Sequence, residues 1–247
     1  MLIRAVLFDV NGTLIDIETD EWMEETYRAI AHFLTYQGVD IRRFETRDLY
    51  FQIMKEQFAA STERYPEFDV VAVWREALHR RDTEYTRSLP MQKLQEMPRF
   101  IAELQRGIAR KRLVPFPQVR ETLAMLRQSY SLAVVSDAQS VYGVPELHAA
   151  GLAEYFDPII ISGDYGFRKP DPRLFQAALE PLGVLPEEAI FVGNDRFRDI
   201  WGAKQVGMKT ILFCPPGNSG SSNGAEPDYL LYQYADLPRA LEFFAAL

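Results

Sequence analysis

Ile3-Arg4-Ala5-Val6-Leu7-Phe8-Asp9-Val10-Asn11-Gly12-Thr13-Leu14 is an apolar run that stops on an acid and enters a Gly-Thr turn. Its opening residues predict a buried strand from about Ile3 to Phe8. Gly12 permits dihedrals that side chains forbid, so Val10 to Asp16 is expected to form a tight turn and a short excursion from the sheet. In a parallel α/β sheet, the loops after the carboxyl ends of the strands line the ligand crevice. An Asp at that place can be a nucleophile or a metal ligand; it can equally close a strand or open a turn.

Downstream, the chain divides by pattern. From Ile17 to about Lys111 there is no strong strand and no Gly-rich turn. Trp22, Tyr27, Ile30 and Leu34 recur at helical intervals, as do Leu49, Ile53, Met54 and Phe58, and again Val70, Val73, Trp74, Ala77 and Leu78. Leu94, Met97, Ile101, Leu104 and Ile108 predict a last helix with Pro98 near its start. Such spacing marks amphipathic helices, whose aromatics form a bundle core or line a pocket. From Leu113 onward, strand and helix alternate. Strands are expected at Ser131–Asp137, Pro158–Ser162, Ala189–Gly193, Lys209–Phe213 and Asp228–Leu231, with helices at Gln118–Gln128, Val144–Ala150, after Asp171-Pro172, at Asp199–Val206 and at Leu237–Phe244. Asp171 and Pro172 suit the cap and first position of their helix, and Gly151 suits a helix stop. Pro215 to Pro227 is rich in Gly, Ser, Pro and Asn and is expected to be a mobile surface loop, without the Walker pattern of a phosphate-binding loop. Alternation of this kind predicts an α/β fold: a doubly wound parallel sheet built from residues 1–16 and 113–247, with an all-helical insertion over 17–112.

The composition suits a soluble globular protein: 247 residues, 47% hydrophobic and 25% charged. A net charge of −8 argues against a nucleic-acid partner. The short basic runs Arg42-Arg43, Arg80-Arg81 and Arg110-Lys111-Arg112 read as solvated helix faces. The single cysteine, Cys214, excludes an internal disulfide and a multi-cysteine metal site. His32, His79 and His148 show no ligand spacing. The opening residues lack the order of a signal peptide, and no apolar run approaches the roughly 18 residues of a membrane helix. A cytoplasmic protein with no membrane partner is expected, as monomer or homodimer.

Four strand-end segments carry polar groups: Asp9 and Asn11, Ser136 and Asp137, Lys169, and Asn194-Asp195 with Asp199. In one doubly wound sheet these ends converge on the same edge. Their order resembles the four motifs of the haloacid-dehalogenase superfamily of hydrolases. Phe8 to Leu14 resembles its Asp-x-Asp-Gly-Thr motif, Val134-Val135-Ser136 the second, Arg168-Lys169-Pro170-Asp171-Pro172 the third, and Phe191 to Ala203 the fourth. The resemblance implies a helical cap over 17–112. It also implies Asp9 as nucleophile, forming a covalent aspartyl intermediate in attack on phosphorus or carbon. Thr13, Ser136, Asp137 and Lys169 are the implied substrate-binding residues. Mg²⁺ is the implied cofactor, held by Asp9, the backbone carbonyl of Asn11 and a side chain of the fourth motif, Asn194 or Asp195. Asp195 is expected at or near the metal, with Asp199 positioning Lys169.

Two departures from the family pattern bear on the reaction. Asn11 stands where family phosphatases carry an acid that protonates the leaving group and then activates water; an amide cannot exchange a proton. Asn194 stands where the metal-binding Asp follows Gly193. The resemblance therefore implies a Mg²⁺-dependent phosphatase of a small phosphorylated metabolite, with two alternatives. One is a carbon–halogen hydrolase of the 2-haloacid type, whose halide leaves without a proton. Such enzymes, however, typically carry an aromatic residue at position 11, a Tyr where Phe175 stands, and Ser-Ser-Asn where Gly193-Asn194-Asp195 stands. The other is a weakly catalytic member that binds a phosphorylated ligand or a protein.

Overall fold

A computed structural model describes residues 2–215 and 224–245, so residues 216–223 of the expected Pro215–Pro227 loop lie outside the described residues. The chain forms two compact units, Met1–Ile17 with Leu113–Leu247, and Glu18–Arg112.

Strand β1 (Ala5–Phe8) starts the first unit, and β2 (Ile15–Thr19) carries the chain out of it. The second unit contains α1 (Glu24–Tyr36), α2 (Arg43–Ala60), α3 (Val70–Arg80), α4 (Glu84–Ser88) and α5 (Met91–Ala109). Its core is made by the periodic residues: Tyr27, Ile30, Leu34, Ile53, Val73, Trp74 and Ile101 are almost fully buried. Burying a side chain of this size contributes roughly 1.5–3 kcal/mol. The polar tips inside this core are paired. Trp74 Nε1 donates to Gln105 Oε1 at 2.8 Å, and Gln105 donates to the Tyr27 hydroxyl at 3.3 Å. Trp22 departs from the expected pattern. It precedes α1, is 65% exposed and stacks on Phe51 at 4.2 Å, so its helical spacing to Tyr27 is coincidental.

Strand β3 (Arg110–Pro115) returns the chain and pairs with β2 in a two-stranded sheet. The pattern over 17–111 predicts no strong strand, and Arg110-Lys111-Arg112 reads there as a solvated helix face. These strands are short and polar, and each obtains its backbone partners from the other, which residue periodicity does not record.

The first unit continues through α6 (Val119–Leu126), β4 (Ser131–Ser136), α7 (Ser140–Ala149), β5 (Ile159–Ile161), α8 (Pro172–Leu182) and β6 (Ala189–Gly193). A π-helical turn (Arg196–Trp201) runs directly into α9 (Gly202–Gln205), followed by β7 (Lys209–Phe213), β8 (Tyr229–Leu231) and α10 (Leu237–Ala245). The main sheet has six strands in the order β5-β4-β1-β6-β7-β8, every pair parallel. Alternation along β1 divides the core. Val6 and Phe8 pack with Val119, Leu123, Leu147, Leu241 and Phe244 of α6, α7 and α10; Ala5 and Leu7 pack with Leu174, Phe175 and Ala178 of α8 and Ala203 of α9. Residues buried on both faces of a strand explain its continuous apolar run.

Asp171 caps α8 by accepting the Arg173 N–H at 3.0 Å, with Pro172 at the first helical position. The helix expected at Asp199–Val206 starts earlier, because Asp195 accepts the N–H groups of Phe197 and Arg198 and opens the π turn at Arg196. Among the described residues, no helix is long and apolar enough to cross a membrane.

Candidate active site

Sheet register places the polar strand ends together. Phe8 stands level with Val134 of β4 and with Val192 of β6, so Asp9 leaves the sheet between the ends of these two strands. The order has β1 central, with the crossovers turning to either side, and this is where an open α/β sheet forms its crevice. Asp9 is 6% exposed, Lys169 3% and Asp199 1%.

Lys169 Nζ lies 2.7 Å from Asp9 Oδ1 and 2.7 Å from Asp199 Oδ1. The Phe191 ring stands 5.6 Å from the same ammonium. Burial works against that charge, but the carboxylates of Asp199, Asp9 and Asp137 outweigh it and hold Lys169 above the ordinary lysine value. Burial lifts the Asp199 carboxyl to about 6, against the pull of Lys169. Its second oxygen accepts the backbone N–H groups of Asn194 at 3.0 Å and Asp195 at 2.9 Å. Gly193 makes room for this: a Cβ there would stand 2.5 Å from Asp199 Oδ2.

The turn after β1 brings Thr13 back to Asp9. Its hydroxyl donates to Asp9 Oδ2 at 2.8 Å and lies 3.4 Å from Asn194 Oδ1. Gly12 adopts φ +78°, and a Cβ there would stand 2.4 Å from Asn194 Nδ2. Gly12 therefore serves both the backbone turn and the close approach of the fourth segment. Tyr234, buried near the C-terminus, donates its hydroxyl to the Thr13 carbonyl at 3.0 Å. Nothing in the sequence signals this support, because the two residues are 221 positions apart.

Ser136 ends β4 and is buried, and Asp137 follows it. Asp137 Oδ1 accepts the Lys169 backbone N–H at 2.9 Å, which ties the second segment to the third. Asp137 Oδ2 has Arg198 Nη1 at 3.6 Å. Arg198 also donates its Nε–H to Asp195 Oδ2 at 3.1 Å. The sequence carries no signal for Arg198 beyond its position three residues after Asp195. Asp195 turns its carboxylate to its own helix. Burial lifts that group, but the N–H groups and guanidinium of Arg198 outweigh burial and leave it below the usual carboxylate range. Of the two neighbours, it is Asn194 that reaches Thr13.

The oxygens around the Thr13 hydroxyl are hard donors of the kind Mg²⁺ takes, which keeps several waters and needs few protein ligands. No group of three or more His, Cys, Asp or Glu placed to hold a metal ion occurs among the described residues. Asp9 Oδ2 and Asn194 Oδ1, which meet at the Thr13 hydroxyl, are of a chemistry that fits a hard divalent cation.

Chemically, the arrangement presents a carboxylate beside a buried ammonium, which suits attack on an anionic centre.

The sequence model of the haloacid dehalogenase-like hydrolase family matches residues 3–207. The chain is 27% identical to glyceraldehyde 3-phosphate phosphatase of Pyrococcus furiosus, over 97% of this chain and 92% of that protein. It is 30% identical to glyceraldehyde 3-phosphate phosphatase of Pyrococcus abyssi, over 86% of this chain and 82% of that one. The crystal structure of a 2-haloacid dehalogenase from Pseudomonas syringae pv. Tomato DC3000 shares its fold, with a TM-score of 0.71 at 24% identity, covering 98% of this chain and 100% of that one.

Proposed function

Because this chain belongs to the haloacid dehalogenase-like hydrolase family, we propose that it hydrolyses a small phosphate monoester through an aspartyl phosphate on Asp9. The observation that carries the reading is the Lys169 ammonium, buried and 2.7 Å from Asp9 Oδ1. A phosphate ester repels a bare carboxylate. A fixed ammonium offsets that repulsion where charge gathers on the phosphoryl oxygens. Asp199 holds the ammonium in place, and the Thr13 hydroxyl orients the second oxygen of Asp9. Ser136, buried at the end of β4, supplies a donor for the transferred phosphoryl group. Asp9, Asn194 and the Asn11 carbonyl would hold Mg²⁺, which when bound would supply further positive charge to the reaction.

Relatives named glyceraldehyde 3-phosphate phosphatase support a short phosphorylated metabolite as substrate. Residues 17–112 are assigned to selecting that substrate and residues 1–16 and 113–247 to the chemistry. The test is phosphate release from p-nitrophenyl phosphate and from glyceraldehyde 3-phosphate, with Mg²⁺ and with chelator. Turnover that requires both Mg²⁺ and Asp9, absent in Asp9→Asn, supports the reading. A folded protein with no turnover defeats it.

Asn11 favours a second reading, carbon–halogen hydrolysis, because a halide leaves without a proton. Halide release from 2-haloacids, with no phosphate release, would establish it.

A further inference from the structure

We propose that Asp137 donates the proton the leaving alcohol needs and takes one back from the attacking water. The inference rests on the phosphate-monoester reading at Asp9 and deepens it.

An alkoxide is a poor leaving group, so a phosphatase of metabolites needs a proton donor near the scissile oxygen. The groups around Asp9 differ sharply in their ability to act. Asn11 carries an amide, which does not exchange a proton on this scale. Lys169 is clasped by Asp9 and Asp199 at 2.7 Å each. Asp199 is satisfied by that ammonium and two backbone N–H groups. Asp195 is satisfied by its own helix and Arg198.

Asp137 is different. Its side chain is 9% exposed, and Oδ1 accepts the Lys169 N–H at 2.9 Å. Oδ2 accepts no hydrogen bond among the described residues and has the Arg198 guanidinium at 3.6 Å. A buried carboxylate oxygen without a donor is disfavoured, whereas the protonated form is itself a donor. Burial raises the tendency of Asp137 to hold its proton, and the Asp9 charge adds to it; Lys169 and Arg198 oppose without cancelling. The position suits the role. Asp137 follows Ser136 at the end of β4, the strand beside β1, and a single hydrogen bond separates it from the backbone of Lys169.

The bookkeeping of protons closes. Asp9 attacks phosphorus as the bond to the alcohol oxygen breaks, and the Asp137 proton passes to that oxygen. A neutral alcohol leaves and Asp137 becomes a carboxylate facing Arg198. Water then attacks the phosphorus of the aspartyl phosphate, its proton passes to Asp137, and Asp9 leaves as a carboxylate.

The experiment compares kcat/KM on glycerol 3-phosphate, whose leaving alkoxide is strongly basic, and on p-nitrophenyl phosphate, whose leaving group needs little protonation. Asp137→Asn keeps an oxygen for the Lys169 N–H. Its expected loss is about 10²-fold or more on glycerol 3-phosphate and less than about tenfold on p-nitrophenyl phosphate. Adding Asn11→Asp to that variant is expected to restore the alkyl substrate, because a carboxyl returns beside Asp9. Equal losses on both substrates, or no loss on either, would overturn the assignment; the first would reduce Asp137 to holding Lys169. If Asp137→Asn does not fold, the wild-type chain decides. A shallow dependence of rate on leaving-group basicity across a series of phosphates supports a donor, and a steep one overturns it. No phosphate release by the wild type from any substrate removes the reading beneath and this inference with it.

Discussion

Lys169 points its ammonium at Asp9 across 160 positions of sequence, at 2.7 Å and almost wholly out of solvent. Asp199 holds the other side of the same nitrogen. Removing the cation leaves two buried carboxylates facing each other, and breaking a buried pair in this way costs about 3–5 kcal/mol. Lys169→Met is expected to lower the urea midpoint accordingly and to abolish phosphate release. The folded pKa of Lys169 is raised, so its stabilisation is fully present below the unfolded lysine value and is lost only as pH rises through the higher folded one. The wild-type unfolding midpoint is therefore expected to show no loss through Lys169 from about pH 7 to 9. A wild-type midpoint that falls steeply within that window would show that Lys169 is not held as a cation.

Asp9→Asn separates chemistry from architecture. The amide keeps an oxygen for the Thr13 hydroxyl, and Lys169 keeps Asp199. Expected are an unfolding midpoint close to wild type and phosphate release at background. Residual Asp9-independent turnover would point to a water attacking phosphorus directly.

Gly12→Ala tests the crowding beneath the turn. The added methyl meets Asn194 Nδ2, and φ +78° is strained for alanine. A left-handed non-glycine residue costs about 1–3 kcal/mol. A drop of at least that size in denaturant stability is expected, with a weaker response of activity to Mg²⁺ as Asn194 is pushed away.

Asn194→Asp adds a charge to an oxygen set that otherwise has one carboxylate. Calorimetric titration with Mg²⁺ is expected to show affinity higher by about tenfold or more, since ligand charge count tunes affinity for hard cations. Without metal, the new carboxylate sits near Asp9, and thermal stability is expected to fall; Mg²⁺ should restore it. Unchanged Mg²⁺ affinity would place the cation away from Asn194.

Much of this arrangement is legible in the chain. The apolar runs ending at Phe8, Ser136 and Gly193 announce strands buried on both faces, because only a sheet covered on two sides hides every residue of such a run. Asp171-Pro172 announces the start of a helix through local capping chemistry. Other features are silent. The pairing of β2 with β3 leaves no periodic trace, since the strands are short and polar. Trp22 keeps helical spacing to Tyr27 yet lies outside the helix and largely in solvent. The π turn starts at Arg196 because Asp195 caps it, and an Asp beside a possible metal site gives no warning that its carboxylate is already engaged.

Residue order alone thus determined the alternating α/β sheet, the helical insertion and the strand ends that bear acids, because burial and turn chemistry act over a few neighbours. Tertiary structure decided what those acids do. Lys169 is shared by Asp9 and Asp199, Asp195 turns to its own helix, and Asp137 is left with an oxygen that no hydrogen bond satisfies among the described residues. The reason is physical. The state of a buried carboxyl is set by which donors surround it within a few ångströms, and those donors arrive from segments far apart in the chain.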